Sequence, residues 1–246
     1  MEFDLRTVSL AIAVSLSVIA LGMLATQRAY PAHVRRSAVR WGLACALQAT
    51  GWILVAARGR IADVLSIIAA NFILSLSATQ FEHAIREFKR TTVPVAAIYW
   101  PPVAVLPLFV YFTYSSPNFT ARVVIISLFG AYQLGRCAIV LMSRDASPAM
   151  RSALLTGAGF LAASLTLAIR AAVFLGPNSA ERPTTMFAST PVEQISFFVL
   201  FISVFLLSFG FLLMCSESFT HDLVRLATLD PLTELFNRRT IEDLAR

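Results

Sequence analysis

Residues 7–27 read TVSLAIAVSLSVIALGMLATQ, an uncharged run held between Arg6 and Arg28. A helix needs about 20 mostly apolar residues to cross the hydrocarbon core of a bilayer, so this stretch alone is long enough. Six more apolar blocks follow. They cover 41–57, 64–81, 93–112 (inside the uncharged stretch 91–121), 123–142, 152–175 and 191–215. Arg136 interrupts the fifth, Arg170 the sixth, and Glu193 stands at the start of the seventh. The connections are short and hold turn formers such as Pro117-Asn118 and Gly176-Pro177-Asn178. The pattern predicts an all-α integral membrane protein, with a seven-transmembrane helix bundle over residues 1–215.

Composition excludes the soluble alternatives. Of 246 residues, 57% are hydrophobic and only 14% charged, with a mean hydropathy of +0.73; a soluble domain carries about 25% charged residues. The net charge of +6 is almost wholly arginine, Lys89 being the one lysine. A basic balance can mark a nucleic-acid binder, but these arginines lie between apolar blocks, where they meet anionic lipid headgroups and set orientation. One set of connections holds Arg28, Arg35, Arg36, Arg40, Arg86, Lys89, Arg90, Arg144 and Arg151. The opposite set holds Arg6, Arg58, Arg60, Arg122 and Arg182. The excess predicts the N-terminus outside, the C-terminus in the cytoplasm, and a multi-pass place in a bacterial inner membrane. Cys45, Cys137 and Cys215 share no spacing and make no metal pattern. The opening MEFDLR is net acidic, the wrong charge for a cleavable signal. The longest outer connection, 176–190, is too short to bury a core. A stimulus is therefore expected to be read inside the bundle, at its outer mouth or from lipid.

After the seventh block the chain runs CSESFTHDLVRLATLDPLTELFNRRTIEDLAR. Leu212, Phe219 and Leu226 recur every seven residues, with Ser216 and Leu223 between them. This spacing predicts a linker helix over 216–229 with a short dimer seam. The following Asp230, Leu232, Thr233, Leu235, Asn237, Arg238 and Arg239 resemble the opening of GGDEF domains, D-x-L-T-G-L-x-N-R-R. Glu234 stands where that family usually has Gly, which removes backbone freedom from the turn. The resemblance covers about 226–246. It implies that 230–246 begins an α/β domain in which two protomers, each holding a GTP, join them into cyclic di-GMP with Mg²⁺. The family's catalytic and metal-binding residues lie further along its sequence, so none is carried over here. No cofactor is expected on the chain itself.

Within the bundle, charge is a functional suspect because it costs roughly 2.5–3.5 kcal/mol at a helix centre. Arg136 lies with Tyr132 and Gln133 near one face of the fifth span. Arg170 and Glu193 lie at similar depth and either pair with each other or leave Arg170 facing an acidic ligand. Trp41, Gln48 and Trp52 share a face of the second span; Asn71, Ser75 and Gln80 give the third its polar groups. The fourth holds Tyr99, Trp100, Pro101, Pro102 and Pro107, where proline frees backbone carbonyls that can line a ligand mouth. Together these point to a small amphipathic or anionic ligand. His33, His83 and His221 all fall outside the expected spans, which argues against haem or metal in the membrane and against the MHYT type of sensor.

These readings make the chain an input module of a dimeric diguanylate cyclase. A transporter or channel is the alternative, disfavoured by the odd number of spans and the lack of inverted repeats. A passive dimerising anchor is the third.

Overall fold

A computed structural model describes residues 4–143, 150–176, 187, 190–228 and 237. Asp230, Leu232, Thr233, Arg238 and Arg239 lie outside the described residues. Among the described residues, seven helices are long and apolar enough to cross a membrane: α1 (Leu5–Thr26), α2 (Ala32–Ala56), α3 (Ala70–Phe88), α4 (Val95–Val110), α5 (Phe119–Met142), α6 (Met150–Leu175) and α7 (Pro191–Thr228). Two are lengthened by wider, π-type turns, Val64–Ala69 ahead of α3 and Tyr111–Ser115 after α4.

Local chemistry sets the helix ends. Asp4 caps α1, its carboxylate accepting from the Arg6 and Thr7 amides at 3.1 and 3.3 Å. Asn118 caps α5 through the Ala121 amide at 3.0 Å. Pro31 and Pro94 precede α2 and α4. At the end of α3, Arg90 takes a left-handed conformation (φ 56°), and the Thr91 amide returns to the Arg86 carbonyl at 2.9 Å. The Lys89 ammonium reaches across to the Val140, Leu141 and Ser143 carbonyls and closes the exposed end of α5.

Consecutive helices pack as hairpin neighbours, α1 on α2, α2 on α3, α5 on α6 and α6 on α7. Contacts of α3 with α5 and of α1 with α7 close these six into a ring, and α4 packs chiefly on α3 and α5. An aromatic cluster holds the core of the ring. Trp41 of α2 stacks on Phe211 of α7 at 3.9 Å between ring centroids, and meets Phe81 of α3 and Phe160 of α6 edge to face. Outward faces carry exposed Val14, Val18, Leu21, Ile139, Ile169 and Phe209. An apolar exterior around a core that admits polar groups is the arrangement lipid requires.

Two helices run further than hydropathy indicated. The second block looked short, yet α2 begins at Ala32, so Arg35, Arg36 and Arg40 stand on its first turns rather than in a connection. Arg40 Nε is paired with Glu87 Oε2 at 2.7 Å. Similarly α3 continues to Phe88 and carries Glu82, His83 and Arg86. His83, expected in a connection, is helical, with Nδ1 3.2 Å from the Tyr99 hydroxyl.

Candidate functional site

Charge and polarity within the bundle collect in three places among the described residues. The first is where α5, α6 and α7 meet near one end. Arg170, 6% exposed, donates from Nε and Nη2 to the two oxygens of Glu193, which is fully buried, at 3.0 and 2.8 Å. Its Nη1 donates to Ser127 Oγ at 3.1 Å. Two parallel hydrogen bonds to one carboxylate are the strongest form of such a pair. They lock the last turns of α6 onto the first turn of α7.

Arg170 also borders a cavity of about 110 Å³. Gln48, Trp52, Asn71, Ser75 and Gln133 line it too, so six of the residues singled out from sequence come together there. Their polar groups are partly spent on one another. Gln133 Nε2 donates to the Ser75 carbonyl at 2.9 Å and to Thr79 Oγ1 at 3.1 Å, while its Oε1 accepts from Ser75 Oγ. Gln48 Oε1 accepts from Ser77 Oγ, and Asn71 Nδ2 donates to the Ile67 carbonyl at 2.6 Å. What remains facing the cavity is mainly apolar, including Leu74, Leu167, Phe197 and Leu200.

The second place lies between α3, α4 and α5. Arg136 Nη2 donates to Glu82 Oε1 at 2.7 Å, and Arg86 Nε donates to the same oxygen at 2.8 Å. Arg136 Nη1 donates to Tyr132 Oη and to the Ala97 carbonyl, both at 3.1 Å. Ala97 is four residues before Pro101, whose ring nitrogen has no proton to give it. The freed carbonyl anticipated in the fourth helix is thus satisfied by Arg136. Trp100 and Tyr132 lie beside this group on the exposed side, with ring centroids 5.9 Å apart, and do not line the cavity. Glu82 escaped the sequence reading because it sits one residue past the uncharged run of the third block. Its spacing to Arg86, one helical turn, was the available signal.

A third feature was hidden among the loop arginines. Arg58, in the α2–α3 connection, and Arg122, in the first turn of α5, join Arg170 around a smaller cavity of about 30 Å³. Arg58 Nη2 donates to the Ser66 carbonyl at 2.8 Å, and the Arg58 carbonyl accepts from Arg6 Nη2 at 3.0 Å. Gly59 (φ 81°) makes the tight turn that brings the chain back here. Burial pushes the Arg58 guanidinium down to about 10; Arg122 and Arg170 push the same way and Asp63 opposes them.

Beyond the ring, α7 projects past the starts of α2 and α6. His33 Nε2 lies 3.4 Å from Asp222 Oδ2, and Ser152 Oγ donates to Glu217 Oε2 at 2.6 Å. Asn237 closes the far end of the helix, donating from its amide nitrogen and Nδ2 to the Thr228 and Ala227 carbonyls. Among the described residues, no group of three or more His, Cys, Asp or Glu comes together as metal ligands would. No protein-family model, curated protein or solved structure matches this chain.

Proposed function

We propose that this chain is the membrane input module of a bacterial inner-membrane diguanylate cyclase, with its N-terminus outside and α7 leading into a cytoplasmic catalytic domain. One observation carries the reading: α7 is a single helix of 38 residues ending just before the stretch that resembles a GGDEF opening. At 1.5 Å per residue it is about 57 Å long, against a hydrocarbon core of about 30 Å. Its first turn is bolted to α6 by Arg170 and Glu193, so the surplus length falls at its C-terminal end. The clasps from His33 and Ser152 tie that surplus to α2 and α6.

In this reading Mg²⁺ and GTP belong to the catalytic domain, and the product forms when two such domains face each other across a homodimer. A rotation or shift of α7 sets how they face. The bundle converts a stimulus into that movement, and lipid surrounds it throughout.

The test uses the full-length protein in membranes, with one to four residues inserted after Phe219 and cyclic di-GMP production measured. Each inserted residue turns the rest of the helix by about 100°. Activity should fall with one or two residues and recover with three or four, which nearly restore the phase. A monotonic decline, or no response, would exclude a rigid helical connection.

A further inference from the structure

The cavity that Arg170 borders is enclosed by five helices, α2, α3, α5, α6 and α7. Most of its wall is apolar, with Val55, Leu74, Leu167, Phe197 and Leu200 contributing. Four polar side chains on that wall keep hydrogen-bonding capacity unspent. The hydroxyl of Ser196, a residue 3% exposed, has no partner among the described residues. Asn71, 7% exposed, gives its Nδ2 to the Ile67 carbonyl and leaves Oδ1 without a donor among the same residues. The Trp52 indole N–H finds no acceptor among them either. Gln48 holds Ser77 with one end of its amide, and the other end is left over. None of these groups is walled off by protein in the way that Trp41 Nε1 and Gln80 Oε1 are.

Charge at the cavity is already closed. Arg170 is the one ionised side chain on its wall among the described residues, and both Glu193 oxygens meet it. An anion entering here would give up its hydration for no free countercharge. Water is a poor filling too, since each buried molecule needs about two to four polar partners and most of this wall has none to offer. The unspent groups suit a hydroxyl, which both donates and accepts. Asn71 Oδ1 is an acceptor, the Trp52 indole a donor, and Ser196 serves as either. Size limits the rest: the volume of about 110 Å³ is of the order of an engineered cavity of about 150 Å³ that holds benzene. We propose that the bundle binds a neutral, hydroxyl-bearing molecule of about the size of phenol, its hydroxyl bonded to Asn71 and its apolar body against Leu74, Leu167 and Phe197. Of the amphipathic and anionic ligands expected from the sequence, the geometry keeps the amphipathic one. Ser196, Phe197 and Leu200 lie on α7 just beyond Glu193, so an occupant braces that helix next to its lock on α6. This names the class of stimulus for the input module, and rests on that reading only for the effect on catalysis.

The probes are phenol, toluene and benzoate, titrated calorimetrically into the full-length protein in lipid nanodiscs, with empty nanodiscs measuring partition into lipid. Phenol should bind saturably and about fivefold tighter than toluene, the worth of one neutral hydrogen bond. Benzoate should bind at least about tenfold more weakly than phenol, because its charge finds no partner. Asn71→Leu should erase the preference for phenol over toluene and keep toluene binding. Ala78→Leu, which adds bulk to the same wall, should abolish both, with an unchanged thermal unfolding midpoint showing that the variant is folded; the three probes on the unaltered protein decide the matter if it is not. Phenol uptake no greater than that of empty nanodiscs would overturn the proposal and leave the cavity to water or a lipid chain. Toluene binding as tightly as phenol would overturn the hydroxyl, and benzoate doing so would overturn the neutral class. Cyclic di-GMP output is followed in parallel. Phenol binding without any change in output leaves the site standing and removes it from the input, whereas absent binding beside a phase-dependent insertion series overturns the site and leaves the input-module reading standing.

Discussion

Arg170 and Glu193 are both withdrawn from solvent, so each stabilises the bundle only while the other is present. Removing one partner of a buried pair leaves an uncompensated charge and typically costs about 3–5 kcal/mol, whereas replacing both by apolar groups of similar size is often neutral. Arg170→Met and Glu193→Gln should each lower the thermal unfolding midpoint of the purified protein in nanodiscs, and Arg170→Met with Glu193→Met should recover most of the loss. A double variant as unstable as the singles combined would mean that the pair is not the source. At the start of α1, hydrogen bonds from the Thr7 hydroxyl and the Arg6 amide hold the Asp4 carboxyl below its ordinary value near 3.8. A lowered folded value means the cap stabilises the helix above that pH and fades as pH falls through the lower one. Exchange protection of the Arg6 and Thr7 amides should drop on acidification and be pH-independent in Asp4→Ala. Arg170 and Glu193 were legible in the sequence because charge inside an apolar run stands out. Arg58 and Arg122 were not, because at the edges of such runs they carry the same signal as headgroup-facing arginines.

The helices themselves were legible wherever an uncharged run met the length a bilayer demands. Their ends were not, since the first turns of α2 and the last turns of α3 are charged yet helical, held by pairs such as Arg40–Glu87 that hydropathy cannot register. Helix crossings were equally hidden. Gly210 of α7 lies against Thr156 of α6 so closely that an added Cβ would overlap Thr156 Oγ1 and lie 3.1 Å from its backbone nitrogen. A hydroxyl can be removed by mutation; backbone cannot move without separating the helices. Gly210→Ala should therefore destabilise the bundle by about 1–3 kcal/mol, the usual cost of overpacking. Thr156→Ala in the same chain should return only part of it, because the backbone remains. Thermal unfolding of the two single variants and the double checks this, and full recovery would show that the hydroxyl alone sets the distance. The crossing also sits one residue before Phe211, whose ring stacks on Trp41. Displacement of α7 here disturbs the aromatic core directly; in the proposed input-module reading this is the route by which an event elsewhere in the ring reaches the C-terminal end of the helix.

For the whole molecule the question is what covers the projecting part of α7. Its lower half leaves Leu212, Phe219, Leu223 and Leu226 exposed, Leu226 at 71%. At 100° per residue these four fall within about 60° of one another around the helix. Such a stripe is narrow, as a two-stranded seam is, and a second copy of the same helix presents the matching face. Val224 lies about 160° around the helix from Leu226 and serves as the control. The native thiols give no background, because Cys45, Cys137 and Cys215 are all buried. Leu226→Cys in the full-length protein should therefore form an intermolecular disulfide readily under mild oxidation in membranes, and Val224→Cys only weakly. A membrane-impermeant thiol reagent applied to intact cells should leave Leu226→Cys unlabelled until the membrane is opened, as a cytoplasmic position requires. Equal crosslinking at both sites would remove the seam. Labelling of Leu226→Cys from outside would turn the bundle over and detach α7 from any pool of cytoplasmic GTP, since an odd number of crossings puts the two ends of this chain on opposite sides of the bilayer.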